Sequence, residues 1–314
     1  MSKFSRRLLL GAALALPFMS SAALAADKIL ASVPGLSFPF FVHMMKAFKA
    51  EIEKQGYEAI ESDGQVSSPK QTADVEAAIT QGVKGIVISP NEVDAMAPAL
   101  QQAVEAGIPV VTVDRRVPSV EGILGHVGAD NVKGGEAQGK LIMTLFPDGA
   151  TIINLQGQSG ASPAIDRNKG LHNVLDPVKD KYQIVFEQTA GFARDKGLSV
   201  TEAALSGLAE PPKVIVAAND DMALGAMEAV KARGLSGIAI IGFDALPEAL
   251  AQVRDGGLAA TIEQFPGKQS SIGVQTLVKF LKDGTAPEQK INLLTPEAVT
   301  KDNLDIAERL GEVK

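Results

Sequence analysis

The sequence predicts an α/β fold with two similar lobes, each a doubly wound parallel sheet. Two observations lead to this prediction: short apolar runs rich in β-branched residues alternate with longer helical segments, and the alternation occurs twice with the same spacing. Strands that are apolar at nearly every position are typical of parallel sheets covered by helices on both faces. The predicted strands are residues 28–33, 85–89, 109–113, 151–155, 214–217 and 238–242.

Helices are predicted between these strands. Residues 93–106 and 220–233 have helical periodicity, and each segment is followed by a glycine, Gly107 or Gly234, where helices commonly end. Aspartate is a preferred N-terminal cap, so we expect Asp220 to cap the second of these helices. Short loops between strand and helix complete the doubly wound pattern.

Two pairs of polar residues mark the repeat. Ser89 and Asp114 follow successive strands in the first half, 25 residues apart. Asn219 and Asp244 do the same in the second half, also 25 residues apart, with residues 151–155 opening the second copy. Ligands of open parallel sheets bind beyond the carboxyl ends of the strands, so two facing lobes would direct all four side chains into one cleft. The alternative for each residue alone is a helix cap.

Residues 1–25 have the pattern of an export signal. Three basic residues in the first seven positions precede an apolar run over residues 8–18, and small residues follow, ending in Ala23-Leu24-Ala25. The run is shorter than the roughly 20 residues that span a bilayer. We expect cleavage after Ala25, by the general or the twin-arginine route, and a periplasmic location. The alternative for this segment is an N-terminal core helix.

The composition and net charge of the chain exclude or disfavour several classes of function. The 314 residues are enough for two domains. The net charge is −7, and removing the three basic residues of the signal leaves 27 basic against 37 acidic residues, a net of −10. An acidic chain without a basic stripe is a poor candidate for nucleic-acid binding. The absence of cysteine excludes disulfides, thiol catalysis and thiolate metal sites.

Signals of enzyme chemistry are sparse. The sequence has no G-x-S-x-G, no phosphate loop and no H-E-x-x-H motif. Residues 157–160 are glycine-rich but lack the dinucleotide fingerprint, and His43, His126 and His172 are not spaced as metal ligands. We therefore expect no enzymatic activity, no cofactor and no metal ion.

Aromatic residues, only 4% of the chain, cluster near the expected cleft. Phe38, Phe40 and Phe41 follow the first strand, and Pro39 suits the first turn of a helix. Phe192 stands alone in a polar turn. Aromatic faces cover the C–H faces of sugar rings, so these four phenylalanines are candidate ligand contacts. The alternative for Phe40 and Phe41 is a role as core anchors of the first helix.

The polar candidate residues include both donors and acceptors of hydrogen bonds. Carboxylates accept hydrogen bonds, guanidinium groups donate them, and amides do both. A neutral polyhydroxyl ligand needs this mixture, whereas an anion site is biased towards donors. The alternative for Arg115 is a surface salt bridge, and the alternative for Arg167 is a solvated helix face. The polar candidates are Asp114, Arg115, Arg167, Asn219, Asp244 and Gln264.

With these residues the sequence resembles the ribose-binding protein group of periplasmic sugar-binding proteins, over essentially the whole chain after residue 25. Several ordered motifs at the family's spacing carry the resemblance. They are Phe-Pro-Phe-Phe at 38–41, Val-Asp-Arg at 113–115, Gly-Ala-Asp-Asn at 128–131, Gly-Phe with Arg at 191–194, Asn-Asp-Asp-Met-Ala-Leu-Gly at 219–225, Gly-Phe-Asp at 242–244 and Ala-Thr-Ile-Glu-Gln at 260–264.

The resemblance implies two lobes joined by a three-strand hinge, with a ligand cleft between them. The first lobe would comprise residues 26–129 and 265–292, and the second 130–264 and 293–314. The protein would be a monomer that closes on a monosaccharide and delivers it to an ABC permease in the inner membrane. Phe40, Phe41 and Phe192 would stack on the sugar ring, and the six polar candidates would bind its hydroxyls.

Two positions depart from the ribose pattern. Phe38 and Ser89 stand where the family has asparagine, and both changes remove an amide from the first lobe's side of the cleft. The hypothesis is that the ligand is not ribose but another pentose, a hexose, a deoxysugar or a polyol.

Three other functional classes are alternatives to a transport protein. A regulator of the LacI kind would need a DNA-binding headpiece where this chain has an export pattern. An enzyme on this fold would need a nucleophile, a metal set or a cofactor motif. A periplasmic sugar sensor that feeds a chemoreceptor or kinase uses the same binding chemistry, so this alternative stays open.

Overall fold

The computed structural model describes residues 26–314, and the predicted signal peptide over residues 1–25 lies outside them. The described part is an α/β structure with two parallel sheets and a small antiparallel pair of strands, which confirms the predicted fold class. None of its helices is both long and apolar enough to cross a membrane. We call the part built on the larger parallel sheet the first lobe and the part built on the smaller one the second lobe.

The first lobe contains a six-stranded parallel sheet in the order β11-β5-β4-β3-β1-β2. Its strands β1, β3 and β4 are buried at nearly every position because helices cover both faces of the sheet. Its elements are β1 (Lys28–Val33), α1 (Pro39–Lys54), β2 (Glu58–Asp63), α2 (Ser68–Thr80), β3 (Gly85–Ile88), α3 (Ala97–Glu105), β4 (Val110–Val113), β5 (Gly125–Ala129), α9 (Pro266–Asp283) and β11 (Ile291–Leu294).

The second lobe contains a four-stranded parallel sheet in the order β7-β6-β8-β9. Beside it, β10 and β12 form an antiparallel pair. Its elements are α4 (Asn131–Leu145), β6 (Ala150–Gln156), α5 (Ser162–Leu175), β7 (Tyr182–Thr189), α6 (Arg194–Gly207), β8 (Val214–Ala217), α7 (Asp220–Ala232), β9 (Ala239–Ile241), α8 (Pro247–Asp255), β10 (Thr261–Glu263) and β12 (Glu297–Val299).

The chain passes between the lobes three times. It leaves the first sheet after β5, returns between β10 and α9, and leaves again between β11 and β12. The predicted lobe boundaries after residues 129, 264 and 292 stay a prediction, and the last of them falls inside β11.

Two details of the helix predictions are wrong. The helix expected from residue 93 begins only at Ala97, because Pro98 has no N–H to donate to the carbonyl oxygen of residue 94, which a helix starting further upstream would require. The cap of α7 is Asn219, whose side chain accepts a hydrogen bond from the Met222 N–H (3.0 Å), and not Asp220. Asp220 is instead fully buried and accepts hydrogen bonds from Leu246 N–H (2.8 Å) and Thr261 Oγ1 (2.7 Å).

Glycines let α4 and α5 approach closely. A Cβ on Gly135 would meet the carbonyl oxygen of Arg167, and a Cβ on Gly170 would meet that of Val132. The second helix pair of this lobe repeats the arrangement, since a Cβ on Gly225 of α7 would meet a carbonyl oxygen of α6. This close packing fixes the position of α5, the helix that carries Arg167.

Candidate functional site

One cavity brings together ten of the eleven predicted site residues. It is lined from both lobes and contains about 340 Å³ of space free of protein atoms, part of it open to solvent. Ser89 does not line it but lies directly behind the lining. The lining residues are Phe38, Phe40, Phe41, Asp114, Arg115, Pro163, Arg167, Phe192, Asn219, Asp244 and Gln264.

Three of these residues have left-handed backbone geometry. The φ angles are 62° at Asp114, 63° at Phe192 and 113° at Asp244, and Asp114 comes directly after β4. Residues with side chains rarely adopt this conformation, and where a scaffold enforces it the position is commonly a functional one. The local backbone therefore turns these side chains into the cavity at the carboxyl ends of the sheets.

The phenylalanines after β1 serve the core and the cavity together. Helix α1 begins at Pro39, as predicted, with Phe38 preceding it as the cap residue. Phe40 and Phe41 are 5% and 4% exposed and pack in the main hydrophobic core, while their rings also reach the cavity. Their centroids lie 5.2 Å apart in an edge-to-face arrangement. The core-anchor interpretation and the site interpretation thus both hold geometrically.

An alternating stack of aromatic rings and guanidinium groups joins the lobes. The Arg115 guanidinium carbon lies 5.2 Å from the ring centroid of Phe41 and 5.7 Å from that of Phe192. The guanidinium carbon of Arg167 lies 5.8 Å from Phe192 on one side and 3.6 Å from Phe243 on the other. Cations over aromatic faces are attracted by the ring quadrupole, so the stack stabilises the facing lobes.

Both arginines are buried, which rules out the surface alternative. Arg115 is 3% exposed and its Nη1 donates to the carbonyl oxygen of Asn91 (2.6 Å) and to Oε1 of Gln158 (3.1 Å). Arg167 is 4% exposed and donates to Oδ1 of Asn131 (2.7 Å) and the carbonyl oxygen of Ala218 (2.6 Å). Burial lowers the pKa of Arg115 to about 10 and also lowers the pKa of Arg167.

The two aspartates face these cations. Ser89 Oγ donates to Oδ2 of Asp114 (3.1 Å), and Gln264 Nε2 donates to Oδ1 of Asp244 (2.6 Å). Burial raises the pKa of Asp114, and it raises the pKa of Asp244 to about 8 although Arg167 lies 3.6 Å away. Two carboxyls and two guanidinium groups therefore provide both acceptors and donors of hydrogen bonds in the cavity.

Three buried polar atoms of the lining have no hydrogen-bond partner in the described structure. They are Oδ1 of Asp114, Nε of Arg115 and Oε1 of Gln264, which together offer acceptors and a donor. Buried polar atoms are normally paired, because an unpaired one costs about 1–3 kcal/mol. Asn219 differs, since its amide already caps α7 and donates to the carbonyl oxygen of Phe192 (3.1 Å).

Sequence reasoning missed three contributors to the site: Pro163, Gln158 and Phe243. Pro163 lies in the first turn of α5, after the first strand of its lobe, as Pro39 does in the other lobe. The internal repeat was therefore the signal that pointed to it. Phe243 lies in the Gly-Phe-Asp motif of residues 242–244, which was therefore the signal for it, whereas no local pattern distinguishes Gln158. The two residues act through Arg167 and Arg115, respectively.

The described residues contain no cluster of three or more histidine, aspartate or glutamate side chains placed to hold a metal ion. No cofactor motif of the sequence falls on the cavity either. The arrangement can therefore hold a small polar molecule by hydrogen bonds and ring contacts, through contributions from both lobes.

Comparison with known proteins agrees with this geometry. A family model described as a periplasmic binding protein domain matches residues 29–286. The ribose import binding protein of Escherichia coli K12 is 37% identical over 265 residues, covering 84% of this chain and 88% of that protein. The one from Bacillus subtilis strain 168 is 42% identical over 237 residues, covering 75% of both chains.

Solved structures are similar over nearly the whole chain. The Caulobacter myo-inositol binding protein bound to myo-inositol is 40% identical with a TM-score of 0.88, covering 91% of this chain and 97% of that one. A solute-binding protein from Bacillus halodurans with bound myo-inositol is 27% identical with a TM-score of 0.83, covering 90% and 97%. The chain therefore belongs to the periplasmic binding protein family, among the two-lobed solute-binding proteins of ABC importers.

Proposed function

We propose that the protein captures a neutral monosaccharide or polyol between its lobes and delivers it to an ABC importer. The observation that carries the proposal is a cavity lined by carboxyl, guanidinium and amide groups, with unpartnered polar atoms on Asp114, Arg115 and Gln264. Each hydroxyl of a polyol donates one hydrogen bond and accepts others, so such a ligand would satisfy acceptors and donor together.

The proposed roles follow from the positions of the side chains. Phe41 and Phe192 contribute their rings to the cavity lining from opposite lobes, and Phe38 and Phe40 extend its apolar side. The charged residues and Gln264 bind hydroxyls, and Asn219 holds Phe192 in place through its backbone. A ligand that contacts both lobes stabilises the closed arrangement over the open one.

The ligand class is proposed from the two positions that depart from the ribose pattern. Ser89 uses its hydroxyl to donate to Asp114, which leaves the other carboxylate oxygen free for the ligand. Phe38 adds an apolar face in place of an amide. These features favour a ring with an extended apolar edge, and the relative at 40% identity binds myo-inositol. We therefore place cyclitols and hexoses ahead of ribose.

The setting of the protein completes the proposal. The family and the basic, apolar and small segments of residues 1–25 support export to the periplasm and removal of the signal. We propose that the mature protein is a monomer without enzymatic activity, and that its partner is the permease of an ABC importer in the inner membrane.

A thermal-shift panel on the mature protein tests the proposal. The panel contains myo-inositol, hexoses, pentoses, deoxysugars, linear polyols and anionic controls such as citrate. A ligand at 100 times its dissociation constant adds about 2.7 kcal/mol to the free energy of unfolding, which raises the melting temperature clearly. We expect this from one neutral polyol or a small related group. Stabilisation by an anionic control alone would overturn the proposal, and a larger stabilisation by ribose than by every other sugar or polyol would overturn the ligand class.

A further inference from the structure

A second set of contacts joins the lobes outside the cavity. The side chain of Arg116, which follows β4, forms a two-pronged ion pair with Asp166 of α5. Its Nη2 donates to Oδ1 of Asp166 at 3.0 Å, and its Nη1 donates to Oδ2. The pair links the first lobe to the second, and neither residue lines the cavity.

Hydrogen bonds along the same boundary support this pair. The backbone N–H of Arg116 donates to Ser162 Oγ (3.1 Å), and that of Val93 donates to the carbonyl oxygen of Gly160 (3.0 Å). In each case one partner belongs to the first lobe and the other to the turn or helix after β6. All of these contacts join protein atoms of the two lobes, so separation of the lobes would break them.

The ion pair is adjacent in sequence to the ligand site. Asp114 and Arg115 line the cavity, and the next residue, Arg116, points to the other lobe. The backbone at Asp114 is left-handed, with φ of 62°. This turn of the chain directs Asp114 and Arg115 to the cavity and Arg116 to the other lobe. The residue proposed to bind the ligand, Arg115, and the residue that contacts Asp166, Arg116, therefore lie next to each other in the same turn of the chain.

The environment of the pair favours a charged contact. The side chains of Arg116 and Asp166 are 37% and 13% exposed, so water screens them only in part. The hydrogen bonds that Arg116 donates to Asp166 raise the pKa of Arg116. His126, close to Arg116, stays neutral because burial lowers its pKa to about 4.

We propose that the Arg116–Asp166 ion pair is a latch between the lobes that stabilises the closed state with or without ligand. The inference rests on the proposed function, in which the lobes bind the ligand by closing on it. A latch of this kind multiplies the affinity for every ligand by the same factor, because it changes only the population of the closed state.

The test uses the mature protein with Asp166→Asn and, separately, Arg116→Gln. We expect roughly three- to tenfold weaker binding of two different ligands from the panel, by the same factor for each. The charge-swapped double variant Arg116→Asp with Asp166→Arg should recover part of the loss. The matched control is Glu248→Gln, which breaks the two-pronged pair with Arg194 inside the second lobe and should leave affinity unchanged.

A second measurement tests the latch without ligand. The chain has no cysteine, so Lys54→Cys on α1 and Lys140→Cys on α4, both well exposed, give one spin-label pair across the lobes. We expect Asp166→Asn to shift the label distances of the ligand-free protein towards the open state. Unchanged distances, unchanged affinity, or unequal factors for two ligands would overturn the latch. Absence of sugar binding in the wild type would instead overturn the proposed function, with the distances still reporting on the latch.

Discussion

At the scale of residues, Asp114 and Arg115 are both buried, and each has a polar atom without a hydrogen-bond partner in the described structure. Asp114 has one oxygen satisfied by Ser89 and one without a partner, and Arg115 has an unpartnered Nε between two phenylalanine rings. The chemistry of these side chains was predictable from the sequence, since residue types at strand ends determine donors and acceptors. Their burial was not, because the facing lobe that covers them is distant in the chain.

Arg115→Met tests the donor role of this residue. Hydrogen bonds to charged groups contribute about 2 kcal/mol, so we expect at least ~30-fold weaker ligand binding in titration calorimetry. The shape of methionine keeps the contact with Phe41. The control is Arg254→Met, an exposed arginine paired with the neighbouring Asp255, which should bind as the wild type does. An unchanged dissociation constant in Arg115→Met would contradict the assigned role.

Asp244 gives a pH dependence of stability. Burial raises its pKa to about 8, well above the value of about 3.9 in an unfolded chain, so the folded state binds an extra proton between these limits. The stabilisation that results from this proton uptake is therefore present in full at low pH, and it is lost as the pH rises from the unfolded-state pKa through the folded-state pKa of about 8. Relative to Asp244→Asn, the wild type should lose up to about 1.4 kcal/mol of its free energy of unfolding per pH unit over this window.

Urea unfolding at pH 5, 6, 7 and 8 measures this difference. The variant Asp255→Asn is the control, because Asp255 is exposed and its pKa is lowered by Arg254, so its curve should run parallel to that of the wild type. A constant difference between Asp244→Asn and the wild type across the window would show that Asp244 is ionised throughout.

At the scale of elements, the buried strands were the easiest to predict and the helix starts the hardest. Strands β1 and β8 have the predicted bounds, because both faces are covered and most positions are apolar. The start of α3 depends on Pro98, and the cap of α7 depends on Asp220 being drawn towards Thr261 and Leu246. Such distant partners leave no trace in the local sequence.

Gly170→Ala tests the contact between α4 and α5. The added methyl group would meet the carbonyl oxygen of Val132, so we expect a loss of about 1–3 kcal/mol in the free energy of unfolding. Ligand affinity should also fall, since α5 carries Arg167. Gly207→Ala at the end of α6 meets no neighbouring atom and should be neutral or slightly stabilising. Equal thermal unfolding of both variants would contradict this account of the helix pair.

At the scale of the whole molecule, the repeat in the sequence predicted the facing lobes. The equal spacing of Ser89 to Asp114 and of Asn219 to Asp244 corresponds to matched strand ends in two parallel sheets. The contacts between the lobes, such as Arg116 with Asp166, were not predictable, because charged residues of this kind occur on any helix surface. Closure is thus a property of the assembled molecule and not of either half.

Closure on a ligand is the central claim, and small-angle X-ray scattering of the mature protein during a titration tests it most directly. The radius of gyration should fall as the neutral polyol chosen from the thermal-shift panel is added, with a midpoint at its dissociation constant, because contacts from both lobes stabilise the closed state. Citrate should leave it unchanged. Saturating binding of the polyol with no change in the shape of the scattering curve would contradict capture by closure of the lobes.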